Sequence, residues 1–422
     1  MKPTAPIRPF RRRTRLAALI VVLLVAGPAL AHTPIAAGQY PARRHHPDAT
    51  QPPPPPPPPG FGAPLPGLTP DQIRAFSAGL EEFRNAENPA SGLGPIFNDR
   101  SCAACHSRPA IGGASNILVT RFGKAANGTF DPLTAIGGSL LQDKAIAPGA
   151  LEHVPQQANV VAHRQTTPLF GMGLIEAIPD QAIIDNAARE QQAGLHGVVS
   201  MVTDVVSGRT RVGRFGWKAQ QASLLAFAAD AYLNEMGITN RFFPTENAPN
   251  GNLVKLAQYD AVSDPEDAVD PATGRSDIDT VADFMRLLAP PPPAPPSPAS
   301  AAGQKLFGST GCAGCHTPQM QTGRSPVAAL DRKPVFLYSD LLLHDMGALG
   351  DGIAQASANG RQFKTAPLWG LRAGAPFLHD GRANTIDDAI RLHDGEARRA
   401  RDNYLHLQEL QRQQILAFLN TI

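Results

Sequence analysis

One short pattern constrains this chain more than any other: Cys-Ala-Ala-Cys-His at 102–106, returning as Cys-Ala-Gly-Cys-His at 312–316. Cys102, Cys105, Cys312 and Cys315 are all the cysteines of its 422 residues, so whatever the pattern does, it does twice. A local disulfide is open to any C-x-x-C pair in an oxidising compartment. A four-cysteine zinc site keeps its pairs within about two dozen residues, whereas 206 residues lie between these. The histidine after each pair selects a third chemistry. In C-x-x-C-H the thiols form thioethers to the haem vinyl groups, and the next residue offers its imidazole to iron. One helical turn brings all three to the same edge of the porphyrin. The chain is therefore expected to carry two covalent haem c groups, attached at the four cysteines, with His106 and His316 as proximal ligands.

The compartment agrees. Arg8, Arg11, Arg12, Arg13 and Arg15 precede an apolar run, Leu16 to Leu30, that ends in Ala29-Leu30-Ala31. Residues 1–31 thus have the three regions of a signal peptide. The apolar run, about 15 residues, is shorter than the roughly 20 a membrane span needs; an uncleaved anchor is the alternative. Cleavage after Ala31 removes six basic and no acidic residues, taking the formal charge from +2 to −4. No basic surface is left to suggest nucleic acid. The expectation is an exported, periplasmic protein with no stable membrane span once the signal is gone.

Proline runs divide the mature chain of about 390 residues, enough for two or three domains. Residues 32–68, with eight consecutive prolines from Pro52 to Pro59, favour polyproline II and read as a disordered tether; His45 and His46 within it read as solvated. Residues 290–298 read as a linker. On either side the same order of elements recurs. A helix capped by Thr69 and Pro70 leads into the first motif, as 297–309 leads into the second. "TTPLFGMGLIEAIPDQAI" (166–183) echoes "TAPLWGLRAGAPFLHDGRANTIDDAI" (365–390), and amphipathic ends close both halves at 283–290 and 415–422. The expected fold is mainly α: two cytochrome c-like haem domains, 69–289 and 299–422, with loop-rich insertions. The first is enlarged by about a hundred residues between Asp180 and Asp279, and the pattern leaves open whether these form helices or strands.

"GPIFNDRSCAACHSRPAIGG", "TPLFGMGLIEAIPD", "GRFGWKAQ", "EMGITNRFFP", "LYSDLLLHDMG" and "APFLHDGRANTIDDAIRLHDGEA" together resemble the bacterial di-haem oxidoreductases, a family also termed thiol oxidoreductase. More remotely, the chain is similar to di-haem cytochrome c peroxidases and to the methylamine-dehydrogenase maturation enzyme. The resemblance covers about residues 68–422. It implies a C-terminal haem fed by a small c-type cytochrome or cupredoxin, and an N-terminal haem that reduces hydrogen peroxide or acts on another substrate.

In the peroxidase relatives the segment matching "FLHDGRANTIDDAIRLH" precedes the sixth iron ligand, which places His393 there. Thr385 and Asp388 predict a capping box at the start of its helix. His379 is a rival ligand, though His379 and Arg382 suit haem-propionate partners better; His344 and Met346 are further rivals. The repeat aligns Asn186 with His393, so the first iron has no ligand at that point, unless Met172, His153 or His163 closes it. Glu176, in an apolar stretch, is the candidate acid–base group for peroxide cleavage, because burial raises a carboxyl toward neutral pH; a structural pairing with a nearby arginine is the alternative. Trp217 is a candidate electron relay, and Trp369 is expected to pack on haem. Relatives also hold calcium between the domains, for which carbonyls near Gly374–Phe377 could serve. Two other functions stay in view: a non-catalytic electron carrier, and a thiol–disulfide enzyme, which is disfavoured because haem would consume every cysteine.

Overall fold

Helix starts follow the capping chemistry of the sequence. The Thr69 hydroxyl accepts the Gln72 N–H while the Gln72 side chain takes the Thr69 N–H, and Pro70 fills the first turn, where its missing donor costs nothing. Ser297 and Pro298 open the corresponding helix of the second half. A computed structural model describes residues 60–374 and 376–422; the signal segment, the proline run at 52–59, His45 and His46 lie outside the described residues.

The helices are α1 (Pro70–Arg84), α2 (Cys102–Cys105), α3 (Met172–Glu176), α4 (Asp180–Gln192), α5 (Leu224–Met236), α6 (Leu253–Tyr259), α7 (Asp277–Leu287), α8 (Pro298–Ser309), α9 (Ile386–Leu392), α10 (Arg398–Leu405) and α11 (Glu409–Leu419). Sheets are small. A three-stranded antiparallel sheet sets Leu118–Ala126 between Thr129–Asp131 and Val160–Gln165, and the other described sheets have two strands each. The expectation of a mainly α, loop-rich fold holds. The enlargement of the first half contains α4, α5, α6 and the hairpin Met201–Asp204/Arg209–Val212. No helix among the described residues is long and apolar enough to cross a membrane.

Two helix pairs repeat one device. In the first half, α1 crosses α7 at Gly79, where a side chain would come within 2.8 Å of Phe284 Cβ and would also strike the Thr280 carbonyl. In the second, α8 crosses α11 at Gly303, where a side chain would lie 2.9 Å from Phe418 Cβ and against the Gln414 carbonyl. Four residues on from each glycine, one helical turn away on the same face, stands a buried phenylalanine. Phe83 packs on Phe284 at 4.8 Å between ring centres, and Phe307 packs on Phe418 at 5.3 Å.

The cores ignore the proline boundary. The larger apolar cluster runs from Phe61 to Leu342 and takes in Met320, Leu330 and Val335; the smaller gathers Phe307, Tyr338, Tyr404, Ile415 and Phe418. A buried ionic bridge also joins the halves: Arg164 Nε donates to Asp351 at 2.8 Å, and Lys218 Nζ lies 3.3 Å from the same carboxylate and 3.8 Å above the Phe363 ring. The linker is packed as well, with the Ala294 N–H donating to the Thr421 carbonyl at 2.8 Å. Residues 60–68 correct the tether's boundary. Phe61 and Leu65 are buried and the Leu65 N–H donates to the Leu287 carbonyl at 2.8 Å, because two apolar side chains this close to the core gain more by burial than a tether gains by freedom.

Gly303→Ala tests the crossing. Alanine is normally the better helix former by about 1 kcal/mol, yet here the variant is expected to be destabilised by about 1–3 kcal/mol through overpacking, measured as a lowered urea midpoint. A stabilised variant would mean that α8 and α11 do not meet at this glycine.

Candidate functional site

Each C-x-x-C-H motif is a single turn held at both ends. At the first, Ser101 caps α2 by accepting the Ala104 N–H at 3.2 Å, and the His106 N–H returns to the Cys102 carbonyl at 3.0 Å. At the second, Gly311 adopts φ +97°, a left-handed conformation open to glycine, and starts a tighter turn over Cys312–Gly314. The His316 N–H again closes on the first cysteine's carbonyl at 3.0 Å. All four cysteines are unbridged and half-buried. Burial, with Glu82 beside Cys102 and Glu235 beside Cys105, pushes both thiols of the first motif up to about 12, and burial also raises Cys312 and Cys315. Such thiols are poor thiolate nucleophiles, which argues against disulfide-exchange chemistry.

Both histidines are prepared in the same way. His106 Nδ1 lies 3.0 Å from the Gly113 carbonyl, and His316 Nδ1 lies 3.0 Å from the Tyr338 carbonyl. A carbonyl only accepts, so Nδ1 carries the proton; at His316 the Nε2 lone pair is left for a metal, while at His106 the Thr167 backbone also bonds the ring. Burial lowers both imidazoles to about 4, with His393 adding to the effect at His316. Both are therefore neutral at pH 7. The phenylalanines of the helix crossings reach these rings: Phe83 stands edge-on to His106 at 6.0 Å, and Phe307 lies 6.4 Å from His316.

His393 lies beside the second motif. The Thr385 hydroxyl accepts the Asp388 N–H at 3.0 Å to start α9. The expected capping box is half made, because the Asp388 carboxylate takes the Thr385 hydroxyl proton instead of a backbone N–H. His393 follows the last residue of α9, and its Nδ1 lies 2.7 Å from the Ala389 carbonyl, so its Nε2 is also free of hydrogen bonds. Burial lowers its pKa too. The His316 and His393 ring centres are 6.4 Å apart. Two imidazoles bound in line to one metal at about 2.0–2.1 Å would have centres roughly 6.3 Å apart. The residues present fit an iron held between two histidines.

The rivals are engaged elsewhere. His344 has both nitrogens occupied, Nδ1 by Glu396 at 2.9 Å and Nε2 by Asp340 at 3.0 Å. Burial opposes protonation, but these carboxylates outweigh it and hold the ring far above its ordinary pKa, so it has no lone pair to offer a metal. His379 is buried in a stack on Phe363, ring centres 4.1 Å apart, and Arg382 pairs with Asp380.

Opposite the first motif the sequence-derived candidates disperse. Asn186 donates to the Asp340 carbonyl of the second half at 3.1 Å. Met172 lies in the apolar core, and His153 and His163 are exposed. Glu176 stands in the alternative arrangement, paired with an arginine. Its Oε2 accepts Arg286 Nε at 2.7 Å, and its Oε1 accepts the Leu224 N–H at 2.7 Å, at the start of α5. Both carboxylate oxygens are thus engaged by donors, one from an arginine and one from the first turn of a helix. Trp217 donates its indole N–H to the Gln165 carbonyl at 2.7 Å and stands edge-on to His379. Trp369 packs at Gly171 against the larger core. Ala375, in the segment expected to offer carbonyls to calcium, lies outside the described residues. The carbonyl partners and the Gly-x-x-x-Phe step before each motif were missed from sequence; the one usable signal was the parallel of "GLEEF" (79–83) and "GQKLF" (303–307).

Comparison with known proteins gives a family. The model of "Di-haem oxidoreductase, putative peroxidase" matches residues 150–422, a span that includes the second motif and His393 but not the first motif. No curated protein matches the chain. Among solved structures, a hydrazine synthase from Kuenenia stuttgartiensis is 14% identical with a TM-score of 0.41, over 84% of this chain and 88% of that one. A MauG-like protein associated with microbial copper homeostasis is 15% identical with a TM-score of 0.39, over 89% and 95%. The Y463M variant of the diheme peroxidase BthA from Burkholderia thailandensis is 13% identical with a TM-score of 0.37, over 84% and 86%.

A double-mutant cycle of Glu176→Gln and Arg286→Met, read by urea unfolding, is expected to show a coupling of about 1–3 kcal/mol. Additive effects would return Glu176 to the candidates for proton transfer.

Proposed function

The chain belongs to the di-haem oxidoreductase family, and on that premise we propose that it is an exported, periplasmic peroxidase-type enzyme whose two c-type haems divide the work. The observation that carries the division is the pairing of His316 and His393 at 6.4 Å, whereas among the described residues the only ring packed on His106 is Phe83. Bound here, haem supplies a redox iron that two imidazoles restrict to electron transfer and one imidazole leaves open to a small oxidant.

The chain's own residues do the rest. Cys102, Cys105, Cys312 and Cys315 anchor the two groups as thioethers. The Gly113, Tyr338 and Ala389 carbonyls orient the three imidazoles, and the latter two keep the Nε2 atoms of His316 and His393 unprotonated. Phe83 and Phe307 exclude water from the proximal rings. Electrons enter the C-terminal half from a small c-type cytochrome or cupredoxin, and hydrogen peroxide or another small oxidant meets the N-terminal half. The raised pKa values of the cysteines favour this reading over thiol–disulfide exchange.

Covalent attachment is checked by a pyridine haemochrome assay on denatured protein. Two haems per chain are expected, one after the double change Cys102→Ala and Cys105→Ala. Release of haem into acidified solvent would exclude the c-type assignment.

Ligation is checked by electron paramagnetic resonance of the oxidised protein. His393→Ala is expected to convert one low-spin iron to high-spin, whereas His379→Ala leaves the spectrum unchanged. Cyanide is expected to bind the first haem and spare the second. Six-coordinate behaviour at both irons, with no cyanide binding even after partial reduction, would make the protein an electron carrier instead.

A further inference from the structure

Away from both motifs, the segment joining α5 to α7 gathers three acids with no base paired to them among the described residues. Glu246, Asp264 and Glu266 each bring a carboxylate oxygen within 4.8 Å of the others. Oxygens that share one calcium ion at 2.3–2.6 Å can be no more than about 5 Å apart, so these carboxylates span the width of a single ion. The arginines of the same stretch are committed elsewhere, Arg241 to Asp279 and Arg275 to Asp283. Among the described residues, none of the three carboxylates has a salt-bridge partner.

Glu246 supplies the second, independent sign. It is only 6% exposed, and its Oε2 is buried with no hydrogen-bond partner, while its Oε1 accepts the Asn247 N–H at 2.6 Å. A buried carboxylate oxygen left unpaired costs about 1–3 kcal/mol or more, unless something outside the chain satisfies it. Thr239 holds the other two acids in place: its N–H donates to Glu266 Oε2 and its hydroxyl to Asp264 Oδ1, each at 2.6 Å. One oxygen of each therefore stays available.

We propose that Glu246, Asp264 and Glu266 bind a calcium ion that clamps the loop before α7. The donor set is all oxygen, without the histidine or thiolate that would favour zinc or copper. It is carried on loops and half open to solvent, which suits an ion that completes six to eight ligands with carbonyls and water; magnesium prefers a rigid octahedron. Burial raises Glu246 to about 9 and Glu266 to about 7, and the neighbouring Asp260 and Asp264 add to both effects.

The clamp bears on the first haem centre. Asp267, next to Glu266, accepts the Ser276 hydroxyl at 2.7 Å and the Asp277 N–H at 3.0 Å, which fixes the start of α7. That helix carries Phe284, the partner of Phe83.

The test uses the mature, haem-loaded protein, freed of metal with EDTA and titrated with calcium chloride by calorimetry, with Tm measured at each end point. One saturable site and a higher Tm with calcium are expected. Asp264→Asn and Glu246→Gln should each weaken binding at least tenfold with the Soret spectrum unchanged; Asp264 is exposed, so that variant serves even if Glu246→Gln fails to fold. Magnesium chloride should bind at least tenfold more weakly. Absence of saturable binding in the wild type, wild-type affinity in Asp264→Asn, or equal affinity for magnesium would each overturn the assignment.

Discussion

Each motif histidine, His106 and His316, stands behind a phenylalanine that a glycine lets into place. Where α1 meets α7 and where α8 meets α11, Gly79 and Gly303 let the helix backbones approach so closely that a side chain would collide with the opposite carbonyl. One turn later Phe83 and Phe307 fill the space between the partner helix and the imidazole. Everything else in each half hangs from that crossing. The motif follows the first helix, the second helix closes the half, and the loops between are free to differ in length because they do not take part in it.

The crossing explains burial, and burial explains the chemistry. An imidazole surrounded by aromatic rings and backbone loses its proton, and a carbonyl at Nδ1 decides which nitrogen keeps hydrogen. Gly113, Tyr338 and Ala389 make that choice at His106, His316 and His393. His344, beside Cys315 of the second motif, shows the opposite outcome. Buried and flanked by Asp340 and Glu396, it is held as a cation and serves as the centre of an ion cluster. The neighbours, more than the residue type, separate a neutral buried histidine from a charged one.

The two halves share more than a repeat. The Arg164–Asp351–Lys218 bridge is buried, so removing one member would strand a charge, a loss of about 3–5 kcal/mol, and Asn186 adds a bond from α4 to the Asp340 carbonyl. Residues from both sides of the linker enter the larger apolar cluster. The relative placement of the two motifs is thereby set by side-chain contacts, while the proline run adds length.

The sequence alone determined what is local. Two C-x-x-C-H turns, the helix cap at Thr69 and the mainly α class could be read from local pattern, because each depends on residues close in the chain. The resemblance supplied His393, which was expected within its helix and instead follows it. Glu176 could not be read locally. An isolated carboxylate in an apolar stretch reads equally as a proton carrier or an ion-pair partner, and its partner Arg286 lies 110 residues away. The same holds for the carbonyl of Tyr338 at His316, 22 residues distant, and for the meeting of Glu246 with Glu266. These are contacts between segments that chain order does not pair. Only the packing of the helices, set by two glycines whose importance lies in what passes beside them, brings them together.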